Sequence, residues 1–371
     1  MAFDWTLNRT GTDTGAAAGV GAQYELPEGA NVERFKILYG PEVLANFKKN
    51  LVFGKATKVK GIEKGKGYEF NLLAEVEANY VYPGEQLTGQ TIARGTKQVF
   101  LDGILASSVA VHELDELLNH TDERTRYAES MGYKLAVKYD KALAAEVIRA
   151  SMVKPISGID ASVAKGGNVV ERKITGASDE ALELFQAILD LGLAFDEKDV
   201  PKSQRTLVLK PKYYWLLLQN IDLINSMHPG IGNIATGDVL KIAGFTIVMS
   251  NNIPSNATEV EKHEIQSVYQ ADGTTASSFN NIPTYGSIGG TNFSYKSFNK
   301  ETDVSKVIGL AFVPNALVTL KRKGLTIDTQ WKLDYLSTII VARMVVGHGW
   351  LNPAGCGILI DNDPSSSVIV E

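Results

Sequence analysis

The sequence predicts an α+β protein in which one long helix belongs to a domain that a second α+β block interrupts. Residues 121–152 carry the longest helical pattern in the chain, and residues 175–310 alternate between strand and helix patterns. Apolar strand patterns return after residue 307. These late strands need a partner, and the extended chain at residues 97–111 offers one. The two ends of the sequence are therefore expected to share the domain of the long helix.

The long helix is predicted from an apolar residue at every fourth position: Tyr127, Met131, Leu135, Tyr139, Leu143 and Val147. Asn119 or Thr121 can cap its start, and Asp122 and Glu123 suit the positive end of its dipole. At about 100° per residue this stripe winds about halfway round the helix, so several partners must cover it. A rise of ~1.5 Å per residue gives a length of about 45 Å, which suits a strut.

Before this helix, Met1–Gly29 lacks any sustained period and is expected to be an N-terminal arm, either bound by a partner or simply frayed. A short helix is predicted around Glu42–Phe47. Alternation in Lys55–Ile62 and Tyr68–Leu72, on either side of the Glu63–Gly67 turn, predicts a β-hairpin, which needs a surface to lie on. Further extended chain is predicted at Ala74–Tyr82 and Lys97–Val111.

After the helix, Ser178-Asp179-Glu180 caps an amphipathic helix through Leu193. A long surface loop is predicted at residues 255–300. The remaining elements are predicted as a helix at Pro211–Asn220 and strands at Arg205–Leu209, Phe245–Met249, Val307–Phe312, Ala316–Lys321, Thr326–Leu333, Ser337–Val346 and Gly357–Ile360. The run Gly347-His348-Gly349-Trp350 is expected to break the strand before it.

Composition restricts the function. The chain is 44% hydrophobic and 21% charged, as folding chains are. A net charge of −5 and a pI near 5.7 argue against a protein that mainly grips nucleic acid. The single cysteine, Cys356, excludes an internal disulfide framework and fits a reducing cytoplasm. We expect a soluble chain with neither a secretory signal nor a membrane span.

Candidate catalytic and metal motifs are weak. His112-Glu113-Leu114-Asp115-Glu116 resembles half of a zinc-protease helix but has Glu116 where the second histidine belongs. Gly230–Ala235 fits a dinucleotide fingerprint formally, yet no strand precedes it. Cys356 is expected to be a packed thiol and His348 a hydrogen-bonded turn histidine. An α+β enzyme using His348 or His228 stays open as the alternative from another functional class.

Lysines crowd the predicted hairpin region, at Lys48, Lys49, Lys55, Lys58, Lys60, Lys64 and Lys66. A solvated hairpin face explains them as well as docking on an acidic neighbour does. Nucleic-acid binding would interleave aromatic residues and make the whole domain basic.

The order of parts resembles the Hong Kong 97-like capsid fold of tailed phages, and the local sequence resembles the major capsid proteins of T-seven-like short-tailed phages (podoviruses). The similar segments are Tyr82-Pro83-Gly84-Glu85, Asp102-Gly103-Ile104-Leu105, Asn119-His120, Tyr127–Ile148, Val200-Pro201 and Met344–Leu351. Their order and spacing carry the resemblance, whereas residues 255–300 match nothing in the family.

The resemblance implies an N-terminal arm and short helix at 1–54, an E-loop at 55–100 and a peripheral domain with the spine helix at 101–155. It further implies an axial domain at 156–309, then returning peripheral strands and a C-terminal tail at 310–371. Such a chain would tile an icosahedral shell of hexamers and pentamers around double-stranded DNA, without sequence-specific binding. Its partners would be a scaffolding protein and a portal protein, and it would have no catalytic site, cofactor, metal or membrane. The shell of a cellular nanocompartment is the alternative with a similar fold.

In the family the E-loop lies across an adjacent subunit near its spine helix. This arrangement would bring Lys58, Lys60, Lys64 and Lys66 of one chain over acidic residues of the next. Those acids gather before and at the start of the spine helix, at Glu113, Asp115, Glu116, Asp122 and Glu123. We therefore expect these nine residues to form a subunit interface.

Overall fold

The structure is a computed structural model. It describes residues 51–76, 78, 80–82, 84, 86, 89, 91–112, 124–159, 161–177, 179–219, 232–233, 238–239, 241–256, 286–296 and 303–362. The predicted N-terminal arm, the helix at Glu42–Phe47 and the capping residues Asn119–Glu123 lie outside these ranges.

Three helices are described: α1 at Arg124–Ser151, α2 at Glu180–Glu197 and α3 at Pro211–Leu218. The strands are β1 Thr57–Gly61, β2 Gly67–Leu73, β3 Arg94–Phe100, β4 Ile104–His112, β5 Asn168–Arg172, β6 Thr206–Leu209, β7 Gly232–Asn233, β8 Asp238–Val239, β9 Lys241–Ile242, β10 Phe245–Met249, β11 Gly286–Ile288, β12 Thr291–Asn292, β13 Val307–Phe312, β14 Leu317–Lys332, β15 Ser337–Trp350 and β16 Cys356–Asp361.

The long helix α1 lies between two sheets. One is four-stranded, in the order β1-β14-β15-β4, and the other is six-stranded, in the order β5-β16-β13-β6-β10-β9. The first half of α1 buries one stripe that includes Met131 and Leu135, whereas residues 143–151 are buried all round. The predicted need for several partners is confirmed, because α1 contacts β4, β13, β15 and β16.

The late strands return as predicted, with two exceptions. β15 pairs antiparallel with β4, from Ser337 opposite His112 to Val345 opposite Ile104. β13 and β16, however, lie side by side in the six-stranded sheet, where β13 also pairs with β6 and β16 with β5. The expectation that all late strands return to the sheet beside β4 is therefore wrong for β13 and β16. The β16 side chains Ile358 and Ile360 pack in the core around α1, whereas Leu359 packs under α2.

The predicted hairpin of β1 with β2 is wrong. β1 pairs in parallel with β14, from Thr57 opposite Leu317 to Gly61 opposite Lys321, and β2 pairs antiparallel with β3. Ile62 is buried between the two sheets against Val99, Leu101 and Leu320. The burial of Ile62 stabilises the passage of the chain from the four-stranded sheet to the sheet of β2 and β3. A local alternation pattern does not reveal this change of sheet.

β2 and β3 belong to a third sheet, in the order β12-β11-β3-β2. Its last rung is the hydrogen bond from Ala74 N to Ala93 O at 3.0 Å. The strand predicted at Ala74–Tyr82 is absent from the described residues of that stretch. The loop predicted at 255–300 is partly wrong too, because β11 and β12 lie within it and Phe293 and Tyr295 are buried.

The run Gly347-His348-Gly349-Trp350 does not break β15, which continues through Trp350. A Cβ on Gly347 would lie 2.3 Å from Phe100 O, and one on Gly349 would lie 2.7 Å from the Val99 side chain. The two glycines therefore allow the end of β3 to cross close to β15. They do not end β15. The predicted strands at 316–321 and 326–333 are likewise one strand, β14, with irregular register between Lys321 and Thr326.

The shorter local predictions are confirmed. Asp179 caps α2, since its side chain accepts a hydrogen bond from Leu182 N at 3.0 Å. The strand at β6, the helix starting at Pro211 and the strand Phe245–Met249 all form.

Candidate subunit-interface site

The predicted lysines share one exposed surface. Lys58 and Lys60 lie on β1, an edge strand of the described sheet, and Lys64 and Lys66 lie on the turn that follows. All four are exposed. The Lys60 ammonium lies 5.3 Å from the ring centroid of Tyr68, close enough for a cation–π contact.

Three further basic residues, which the sequence reasoning missed, extend this surface. Lys321, Arg322 and Lys323 are exposed where the β14–β15 register shifts. Arg322 Nη1 donates a hydrogen bond to Gly65 O at 3.2 Å, which brings this run against the turn after β1. The Lys-Arg-Lys run is visible in the sequence, but its neighbourhood depends on a pairing 260 residues apart. We call these seven residues the basic surface.

The acidic half of the predicted interface consists of five residues. These residues, Glu113, Asp115, Glu116, Asp122 and Glu123, lie outside the described residues. The four predicted lysines are exposed on β1 and the turn that follows it, and their contact with these acids stays a prediction.

Large apolar side chains are exposed on the loop between β2 and β3. Tyr80 is 100% exposed and Tyr82 is 78% exposed. Val76 and Ile92 on the same loop are also exposed, as is Leu73 at the end of β2. Single exposed apolar residues are ordinary, but a concentration of them in one loop is typical of an interaction site.

A groove with a charged floor runs along α1. Its volume is about 160 Å³, and it lies between the helix, the turn at Asp102 and Gly103, the start of β4 and the end of β15. Glu146 and Arg149 are 2% exposed and form an ion pair at its floor. Removing either residue of this pair would leave the charge of the other buried and uncompensated, which is strongly destabilising.

His348 lines the same groove. It is 3% exposed, its Nδ1 lies 3.1 Å from Thr319 Oγ1, and its ring meets the ring of Tyr139 edge-on at 4.9 Å. The predicted hydrogen bond of His348 is confirmed, but its predicted place in a turn is wrong because it lies within β15. These contacts give it a structural role between α1 and the four-stranded sheet.

Cys356 is the packed thiol that the sequence predicts. It is fully buried, and burial raises the pKa of its thiol well above the ordinary value. The thiolate that nucleophilic chemistry needs is therefore disfavoured. Cys356 starts β16 in the six-stranded sheet, whereas His348 lies on β15 in the four-stranded sheet.

Across the described part of the chain, no group of three or more His, Cys, Asp or Glu side chains could hold a metal ion. Within the same residues, no helix is long and apolar enough to cross a membrane.

Comparison with known proteins decides the family. A family model described as Gp10A-like major capsid protein matches residues 70–360. The chain belongs to the Gp10A-like major capsid protein family. The tailed-phage capsid protein predicted from the order of sequence segments is thereby confirmed.

Relatives of this capsid protein cover nearly its full length. It is 22% identical over 339 residues to the major capsid protein of Escherichia phage T7, covering 90% of this chain and 93% of the relative. It is 24% identical over 336 residues to the major capsid protein of Enterobacteria phage T3, covering 88% of this chain and 91% of the relative.

Solved capsid structures share the fold. The capsid of cyanophage P-SCSP1u matches with a TM-score of 0.63 and 25% identity, covering 84% of this chain and 88% of the other. The mature capsid of bacteriophage PhiM1 matches with a TM-score of 0.64 and 16% identity, covering 84% and 86%. The α+β, Hong Kong 97-like fold class is confirmed.

Proposed function

We propose that this capsid protein self-assembles as hexamers and pentamers into a closed icosahedral shell around the double-stranded DNA of a short-tailed phage. The observation that carries the proposal is the loop between β2 and β3. This loop exposes aromatic and aliphatic side chains. Their exposure does not stabilise an isolated chain and is typical of an interaction site. The family membership and the capsid relatives support the shell over a small oligomer.

The domain assignment is part of the same proposal. In this proposal residues 55–100 are the E-loop, 101–155 hold the peripheral domain with the spine helix α1, and 156–309 are the axial domain. Residues 310–371 return to the peripheral domain, except that the end of β13 and the whole of β16 belong to the six-stranded sheet.

Neighbouring subunits are held in part by charge. The basic surface of one chain lies over Glu113, Asp115, Glu116, Asp122 and Glu123 of the next. An exposed pair stabilises a contact by only ~0.2–1 kcal/mol, but a shell repeats the contact in every subunit. Its strength should fall as salt rises, because the screening length is about 8 Å at physiological ionic strength.

The role is structural rather than catalytic. The partners are other copies of this chain, a scaffolding protein during assembly and a portal protein, and the enclosed DNA is held without sequence-specific contacts. The net charge of −5 suits a lumen along which packed DNA slides. Assembly takes place in the host cytoplasm and the product is the virion.

The test is sedimentation of the chain co-expressed with the scaffolding protein of its phage. Particles of megadalton mass are the expected result. A small oligomer of uniform size, under every condition of salt and concentration, would contradict the shell.

A further inference from the structure

We propose that residues 286–296, here called the strap, couple the sheet of β2 and β3 to the end of α1, so that the two move as one body. The strap consists of β11, β12 and the four residues that follow them. The inference concerns the single chain and does not depend on the proposed shell.

One side of the strap pairs with β3. β11 lies antiparallel to β3, with Ser287 opposite Thr96, and Gly289 N donates a hydrogen bond to Arg94 O at 3.1 Å. Gly289 and Gly290 have φ values of 56° and 81°, the left-handed values that a two-residue hairpin turn requires. They turn the chain back as β12, which pairs with β11.

The other side of the strap pairs with the residues that follow α1. Lys154 N donates a hydrogen bond to Ser294 O at 2.8 Å, and Lys296 N donates one to Met152 O at 2.7 Å. An antiparallel β-bridge lies between these two bonds. The backbone of the strap is therefore hydrogen-bonded both to the β2–β3 sheet and to the end of the long helix.

Side chains from both partners of the strap meet at Trp350, the last residue of β15. Its ring is 1% exposed, and its Nε1 donates a hydrogen bond to Tyr295 Oη at 3.1 Å. The ring of Phe293 meets it edge-on at 5.1 Å. On the β3 side, the ammonium of Lys97 lies 4.0 Å from its centroid, within cation–π range. Because buried rings are close-packed, none of these side chains can shift without disturbing the others.

The strap is a second attachment for the β2–β3 sheet. The first is the end of β3, which crosses β15 close to Gly347 and Gly349. A sheet held only at this crossing could pivot about it. β11 pairs with residues 95–97, further along the same strand, and two attachments on one strand prevent the pivot. A displacement at the end of α1 therefore reaches the β2–β3 sheet through a continuous chain of hydrogen bonds and packed side chains.

Gly286→Val tests this coupling. A Cβ at Gly286 would lie 2.5 Å from Thr96 O, so the substitution must push β11 away from β3. Nitroxide labels on Glu69→Cys in β2 and Glu129→Cys in α1 then report the distance between the sheet and the helix, by double electron–electron resonance on the full-length chain. Both positions are exposed, and the native Cys356 is buried and stays unlabelled.

The parent chain should give one narrow distribution of label distances, and Gly286→Val should lose that single peak and give a broad distribution. Gly61→Val is the matched control, because a Cβ at this exposed residue of β1 would meet nothing within 4 Å. It should keep the parent distribution. A distribution in Gly286→Val as narrow as that of the parent would overturn the proposal.

Tyr295→Phe decides the case in which Gly286→Val does not fold. It keeps the ring and removes only the hydroxyl that accepts the Trp350 hydrogen bond. If the strap couples its two sides, this change beside α1 should speed hydrogen exchange of the Gly289 amide, on the β3 side, by roughly tenfold. Tyr133→Phe, at an exposed tyrosine of α1, is the control and should leave that rate unchanged.

An unchanged exchange rate of the Gly289 amide in Tyr295→Phe would show that the two sides of the strap are independent, and would overturn the proposal. Neither measurement involves assembly. Failure of the coupling would therefore leave the proposed shell standing, and failure of the shell would leave the coupling standing.

Discussion

The carboxylate of Asp140, in the middle of α1, accepts a hydrogen bond from Phe53 N at 2.8 Å. It also accepts one from Val52 N at 3.1 Å and one from the Asn252 side chain at 2.8 Å. Asp140 is fully buried, and burial raises the pKa of its carboxyl although these hydrogen bonds oppose the shift. One side chain thus fastens the segment before β1 and the loop after β10 to the long helix.

Asp140→Ala should therefore lower the free energy of unfolding by roughly 2–5 kcal/mol, because one buried donor and two partly buried donors lose their acceptor at once. Urea unfolding measures this loss, and hydrogen exchange should speed up at the Val52 and Phe53 amides. Asn252→Ala removes a single donor and should cost less. Equal costs for the two variants would show that the carboxylate does not join these segments.

Leu135→Ala should cost roughly 2–5 kcal/mol of folding free energy, because Leu135 is 2% exposed under the four-stranded sheet and leaves a cavity there. Leu193→Ala on α2 is the matched control, since Leu193 is 59% exposed and should cost little. Thermal unfolding of the isolated chain compares the two. Similar melting temperatures for both variants would be inconsistent with this packing of α1.

Acid should weaken the fold through Asp361 at the end of β16. Burial alone would raise the pKa of Asp361, but hydrogen bonds from Thr175, from the Ile174 and Thr175 amides and from Tyr213 outweigh it and lower that pKa. An acid with a lowered folded-state pKa contributes stability above its unfolded pKa of about 4, and that stability is lost as pH falls through the folded value. The folded-state pKa of Asp140 is raised, so the stability that this carboxyl contributes is instead lost as the pH rises.

Asp361→Asn should therefore reduce the free energy of unfolding more at pH 7 than at pH 3. Urea titrations at the two pH values give the difference. Asp334→Asn, on the exposed β14–β15 turn, is the control. A deficit that is equal at both pH values would mean that the Asp361 carboxylate is not stabilised in the folded chain.

Reversing the lysines of the basic surface should block assembly. Lys58→Glu with Lys60→Glu and Lys64→Glu is expected to lower the particle yield, and adding Glu113→Lys, Glu116→Lys and Glu123→Lys should restore part of it. The triple change Lys173→Glu, Lys212→Glu and Lys241→Glu alters the net charge equally at exposed positions elsewhere. Normal shells from the variant with Lys58→Glu, Lys60→Glu and Lys64→Glu, with unchanged salt dependence, would show that these lysines do not hold neighbouring subunits together.

Structural features that depend on residues close together in the sequence could be predicted. The stripe from Met131 to Leu143 places α1, and Asp179 places the start of α2, because helices depend on neighbours three and four residues apart. The return of β15 to β4 also followed, since an apolar strand needs a partner and residues 97–111 offered one.

Features made by distant contacts could not be predicted. Alternation shows that Thr57–Gly61 is extended, but it does not reveal that the partner is β14 rather than β2. Gly347 looks like a strand break until the crossing of Phe100 over it is known. The Asp140 bonds and the joining of Lys321–Lys323 to the other lysines depend on the same long-range pairings.

Cryo-electron microscopy of particles formed by this chain tests the central claim most directly. The account predicts closed icosahedral shells built of hexamers and pentamers of this chain. Soluble rings or small oligomers as the final state, in the presence of the scaffolding protein, would contradict it.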